Sequence, residues 1–316
     1  MPETHRTQGA VFASGIWVLI FICSAPLYQT IPELQYSLHW THKAGIMEKT
    51  NQVEVFVMFS NEERCIYRNN SLANVICQLR FPEILTIGAN LPVEFQESIR
   101  SDYPRYSARK EVPVSKLSGT PGNLNFQKQD PVTNYQFSSA DNLWTVNLTS
   151  KFISLSCAEY FCWEEFAAKL DKPLAAFIRL YKPAFFERVG LRYINFISRR
   201  DLQLEGIPFR DLIQPCYAGL LVEDDVPEPS VLRSSVDTEL KIRGGCNAKI
   251  HAGPGITKKQ GKPDPEIKFV FDQDLYMAGN IPVNMSASAL ETLHRQADSI
   301  FRGAITTKLH QAMQPE

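Results

Sequence analysis

The sequence predicts an α+β fold: mainly antiparallel sheet with helices on one side, two split β-α-β-like halves, and a long C-terminal helix. Three observations predict it. Several short runs alternate apolar and polar residues, the period of a half-buried strand. Between them, apolar residues recur at helical spacing. The chain then closes on a stripe of Leu293, Ala297, Ile300, Ala304 and Leu309, which suits one long helix.

In chain order, Val75, Cys77, Leu79 and Phe81 share one face of a strand that Pro82 stops. Pro92 sits where a first helical turn tolerates it, and Phe95, Ile99 and Tyr103 mark one apolar side until Pro104. Residues 110–134, rich in Pro, Gly, Ser and Lys, read as a long loop. A short strand over 135–139 follows. Trp144, Val146 and Leu148, then Ile153, Leu155 and Cys157, complete an antiparallel meander with one wet face.

A helix starts near Trp163, carrying Phe166, Leu170, Leu174, Phe177 and Tyr181, and Pro173 is expected to kink or divide it. Residues 187–198 form the next strand. The second half begins with a weak helical signal over 209–220. Alternation over 232–242 follows, and Gly244-Gly245 turns the chain into Ala248, Ile250 and Ala252. A strand over 267–271 comes next, and a Ser288-x-x-Glu291 capping box opens the terminal helix. Periodicity leaves open whether the two halves share one sheet.

Bulk properties narrow the function classes. Net charge is −1, from 33 Lys+Arg against 34 Asp+Glu, so the totals lack the basic excess of a phosphate-neutralising nucleic-acid binder. The 7 cysteines are scattered and several fall at apolar positions, which suits thiols used as packing in a reducing compartment. The expected location is cytoplasmic.

The alternative is membrane anchoring through residues 11–28, a run without a charge and just long enough to span a bilayer. That run lies in an N-terminal extension, residues 1–57, read as separate from the core and as a misassigned upstream segment. Met58 looks like the natural start. The core then divides into a first α+β half, 58–200, and a second, 201–316, which are compatible with a single domain.

Arg188 and Arg192 stand at i, i+4 on one face of a strand, with only Gly190 between them on that face. Two such guanidiniums could clamp a phosphate or carboxylate, with Arg80 and His251 as further candidates. The plainer alternative is a solvated sheet face whose arginines pair with Glu164 or Glu165. The glycines of His251-Ala252-Gly253-Pro254-Gly255 read as a turn, because no strand–loop–helix context is present for a phosphate cradle. Lys258, Lys259 and Lys262 form a basic cluster that is either a solvated loop or a nucleic-acid contact. His294 and His310 lie on the terminal helix, too far apart to share a metal, and read as surface residues. No metal set or cofactor motif is read from the spacing.

VICQLRFPEIL, the FQESIRSDYPRY helix, YFCWEEF, the RVGLRYIN strand and the terminal AITTKL segment resemble a sporadically distributed prokaryotic family of uncharacterised conserved proteins. The resemblance runs from about Met58 to the end, with RVGLRYIN its most specific element. It implies a prokaryotic source and a start near Met58, and brings no assigned activity. The expected function is therefore an intracellular binding or regulatory protein for an unknown protein or small anionic ligand. An enzyme acting on an anion around Arg188 and Arg192, and a nucleic-acid binder, are the alternatives.

Overall fold

The computed structural model describes residues 59–60, 63–112, 116–120, 123–127, 131–259 and 262–316. The extension over 1–57 and its apolar run lie outside the described residues. The elements are β1 (Leu72–Arg80), α1 (Leu85–Ala89), α2 (Val93–Ile99), β2 (Arg105–Glu111), β3 (Lys116–Thr120), β4 (Asn123–Gln127) and β5 (Val132–Ser138). Then follow β6 (Trp144–Leu148), β7 (Phe152–Cys157), α3 (Trp163–Tyr181), β8 (Phe186–Ile197), α4 (Pro215–Ala218) and β9 (Val236–Ile242). The last are β10 (Cys246–Lys259), β11 (Lys262–Ile281), α5 (Ser286–Ala304) and α6 (Thr307–Ala312).

The fold is α+β, with one 9-stranded antiparallel sheet in the order β2-β5-β6-β7-β1-β8-β11-β10-β9 and a separate β3-β4 hairpin. The open question of one sheet or two is answered at its centre, where β1 and β8 pair from Val75↔Tyr193 to Arg80↔Arg188. Residues 56–257 and 264–316 cluster as one compact unit. Among the described residues, no helix is long and apolar enough to cross a membrane.

Alternation decides which face is buried. Val75, Cys77 and Leu79 of β1, and Val189 and Leu191 of β8, are fully buried under the helices. Their neighbours Arg80, Arg188 and Arg192 point the other way, onto an open polar face. Aromatic contacts lock helices to sheet: Phe177 of α3 meets Phe81 at 4.6 Å, and Phe95 of α2 meets Phe137 at 5.4 Å.

Several expectations change. Pro173 does not divide α3, which runs unbroken from Trp163 to Tyr181 with Pro173 buried inside it. A proline there leaves the carbonyl of Lys169 without its helical donor. The Tyr103 hydroxyl donates to that carbonyl at 2.8 Å, which satisfies it from outside the helix. Tyr103 is itself beyond the end of α2, which stops at Ile99.

The expected long loop over 110–134 contains β3, β4 and the start of β5, and β2 runs into it. β2 escapes periodicity because it is a sheet edge exposed along its whole length, so no apolar face is needed. The glycines at 253 and 255 lie inside β10 and are not a turn. Gly253 is required by close approach: a Cβ there would sit 2.4 Å from the backbone oxygen of Ser234. The Ser288/Glu291 capping box is also overturned. α5 starts earlier, with Met285 at its N-cap, the Ser288 hydroxyl donates to the Met285 carbonyl, and Glu291 accepts from the Trp163 indole. Gly244 and Gly245 do turn the chain, both at positive φ.

Candidate functional site

The open face carries the arginines singled out by their spacing, and their partners are not the glutamates of α3. Arg192 donates from Nε to Asp272 at 2.8 Å, and Arg188 donates from Nη2 to both carboxylate oxygens of Asp274 at 2.7 and 2.8 Å. The donors lie on β8 and the acceptors on β11, which are adjacent strands. Gly190 makes this reach feasible. The Arg188 guanidinium lies across it, so that a Cβ at Gly190 would stand 2.1 Å from Nη1. The same guanidinium rests over the Tyr276 ring at 4.6 Å.

Arg80 lies opposite Arg188 on β1, and the two share an open hollow with Lys249, Asp274 and Tyr276. His251 is elsewhere on this face, with Nδ1 2.7 Å from an Asp237 oxygen. Lys258 and Lys259 end β10 and Lys262 opens β11. Of the predicted anion-binding set, then, Arg80 and Arg188 share a hollow, and Arg188, Arg192 and His251 are each engaged with an aspartate. Glu164 is held instead by Arg64, through bonds of 2.6 and 3.0 Å, and this lowers its carboxyl to about 2.

The opposite, helix-covered face holds a second constellation. Along β8 and β11 the buried phase is apolar at Val189, Leu191, Ile197, Phe269, Phe271 and Leu275. Within that phase, Tyr193, Asn195 and Gln273 are polar and still buried, at 5%, 3% and 2% exposure. They are neighbours in register, Gln273 opposite Tyr193 and Phe271 opposite Asn195. From α5 above them, His294 brings Nδ1 to 2.8 Å from the Tyr193 hydroxyl. Trp163 stacks on the His294 ring at 4.7 Å and 12°, and its own indole N–H donates to Glu291 at 2.7 Å. Asn195 is held by the Ser71 hydroxyl and by the Phe271 carbonyl.

Tyr193, Asn195, Gln273 and His294 line a cavity of about 80 Å³ that opens toward the surface. Its other walls come from the segment around Arg64 and Tyr67, the turn at Tyr160, and Phe301 and Met313. The segment is fixed beside the chain's end by hydrogen bonds from the amides of Arg68 and Asn69 to the carbonyls of Gln314 and Met313. Burial, with the nearby Arg64 charge, lowers His294 to about 4, so its ring is neutral at physiological pH. Burial pushes the Tyr193 hydroxyl far up and raises the Asp298 carboxyl, against the pull of Arg64. The wall is mostly aromatic and apolar, with a few convergent polar groups, the usual make-up of a small-molecule site.

His294 corrects the sequence reading, which set it on the surface: it is 5% exposed. His310 is also engaged, with Nδ1 2.9 Å from the Tyr67 hydroxyl. Two signals for the cavity were present in the sequence. Leu290, His294, Ala297 and Phe301 keep one helical stripe, so His294 sits on an apolar face. Asn195 and Gln273 interrupt the apolar phase of their strands. Among the described residues, no three His, Cys, Asp or Glu side chains gather closely enough to hold a metal ion. No family model matches this chain, and no curated protein matches it.

Proposed function

We propose that this is a binding or regulatory protein whose ligand is a small molecule held in the helix-side cavity. The observation that supports it most is the Tyr193–Gln273–His294 group, polar side chains buried in an apolar phase and turned toward one cavity. Core positions of this kind take apolar residues unless a polar group has a task there, since burying an unpaired amide costs about 1–3 kcal/mol. The test is a ligand-observed NMR screen of a fragment mixture against the full chain and an Ala297→Phe variant, which fills the cavity. Fragments that bind the first and not the second support the reading. A screen without any such fragment sinks it.

A second reading has one observation in its favour: Arg80, Arg188 and Lys249 share the open hollow with Asp274 as the acidic residue among its walls. A carboxylate or phosphate would suit that balance. Inorganic phosphate binding that is lost in Arg80→Ala would support it.

The proposal extends to kinship and place. Two of the segments that resemble the sporadically distributed prokaryotic family, VICQLR and RVGLRYIN, form the adjacent central strands β1 and β8, which suits membership. The unpaired thiols suit a reducing, cytoplasmic setting. Duplication of a split β-α-β-like half is supported by strand order. Outward from β1 stand β7, β6 and β5, and outward from β8 stand β11, β10 and β9, each trio a meander followed by a long helix.

A further inference from the structure

We infer that the ligand's buried end is a planar, uncharged group presenting a hydrogen-bond donor and an acceptor side by side, as a primary amide or a lactam does. This rests on the helix-side cavity being the ligand site, and it names the chemistry the cavity selects.

Gln273 carries the argument. It is 2% exposed and occupies the same strand phase as Phe271 and Leu275. Its Oε1 is fully enclosed without a hydrogen-bond partner, and its amide nitrogen bonds to no described residue either. The flanking Asp272 and Asp274 face the other side of the sheet, bound to Arg192 and Arg188, so the strand holds Gln273 in place by charge on its opposite face. A leucine or methionine would fill this position at no polar cost. An amide offers an acceptor and a donor on adjacent branches of one plane, about 2 Å apart, and its complement is a group with the same pair reversed.

The remaining lining agrees. His294 Nε2 is also enclosed without a partner and is neutral, so it adds one further donor or acceptor but no charge. The Arg64 guanidinium is committed to Glu164. A carboxylate ligand would bring its charge near Asp298, itself part of the lining, while Arg64, the one Lys or Arg among the described lining residues, is already paired. An ammonium ligand has donors only and would leave the Gln273 N–H unanswered. Apolar walls from Tyr67, Phe301 and Met313 suit an aromatic or aliphatic body behind the polar end.

Four probes of one size separate the cases: benzamide, benzoate, benzylamine and toluene, titrated by NMR against the full chain and its Gln273→Met variant. Benzamide is expected to bind most tightly. Gln273→Met, which keeps the volume, is expected to weaken benzamide at least about tenfold, the worth of two buried hydrogen bonds, and to leave toluene unchanged. Gln273→Leu serves as a second variant, and both are expected to hold or raise the melting temperature. Equal binding of benzamide and toluene, unaffected by either variant, overturns the inference while leaving the cavity as the site. Tighter binding of benzoate or benzylamine overturns it too. If none of the four binds, the cavity reading itself falls.

Discussion

The Tyr193 hydroxyl lies 2.8 Å from Nδ1 of His294, tying the centre of the sheet to the long C-terminal helix through a hydrogen bond closed off from solvent. The bond depends on a neutral ring. His294 titrates at about 4 in the folded chain against an ordinary 6.5, first because it is buried and then because Arg64 is near. A histidine with a lowered folded pKa contributes stability that is present above the unfolded value and is lost as pH falls toward the folded one. The window is therefore pH 6.5 down to 4, and the shift corresponds to roughly 3 kcal/mol. Thermal melts should show the melting temperature falling across that window, with the fall largely absent in His294→Gln. Equal slopes in the two proteins would contradict this.

Tyr103 and Pro173 form a compensating pair. The proline removes a donor from the Lys169 carbonyl and the tyrosine supplies one. Tyr103→Phe should destabilise the chain by about 1–2 kcal/mol in urea unfolding. In a Pro173→Ala background the restored helical N–H reaches the same carbonyl, so the Tyr103→Phe cost should shrink. A cycle that is additive would show that the two residues are not coupled.

Gly190 is needed for the path of Arg188, since a Cβ there meets the guanidinium at 2.1 Å. Gly190→Ala should displace Arg188 from Asp274 and from the Tyr276 ring. The cost is about 1 kcal/mol, as the pair is partly exposed, at 19% and 30%. In an Asp274→Asn background the same substitution should cost less, measured by chemical denaturation.

Gly253 has a harder constraint. Its virtual Cβ meets backbone, the Ser234 oxygen at 2.4 Å, and backbone cannot swing aside as a side chain does. Gly253→Ala should cost about 2 kcal/mol or more. Gly255→Ala, which meets a Val270 methyl at 3.0 Å, should cost clearly less. Comparable melting temperatures for the two variants would refute the distinction.

Helix caps offer a contrast between a sequence motif and its use. Ser288 does not cap α5, so Ser288→Ala should change stability by under about 0.5 kcal/mol. Thr306 does cap α6, accepting from the Leu309 amide while its hydroxyl donates to the Asp211 carbonyl. Thr306→Ala should therefore cost about 1 kcal/mol. Denaturant midpoints of the two variants decide the matter.

By itself the sequence determined the faces of its strands and the terminal helix, because alternation and helical spacing are local consequences of which residues must leave water. Val75 to Leu79, the meander ending at Cys157, and the stripe from Leu293 to Ala304 were all readable in that way. An exposed edge such as β2 was not, because nothing there needs burying. The arginines at 188 and 192 were visible as a pair, but their partners lie on β11, some eighty residues away in the chain, and only strand pairing brings Asp272 and Asp274 beside them. The cavity shows the division most sharply. That Asn195 and Gln273 break an apolar phase, and that His294 lies on an apolar stripe, are facts of sequence. That the three meet at one place was decided by the register of β8 on β11 and the seating of α5, since long-range pairing is set by the packing of the whole core and leaves no period in the chain.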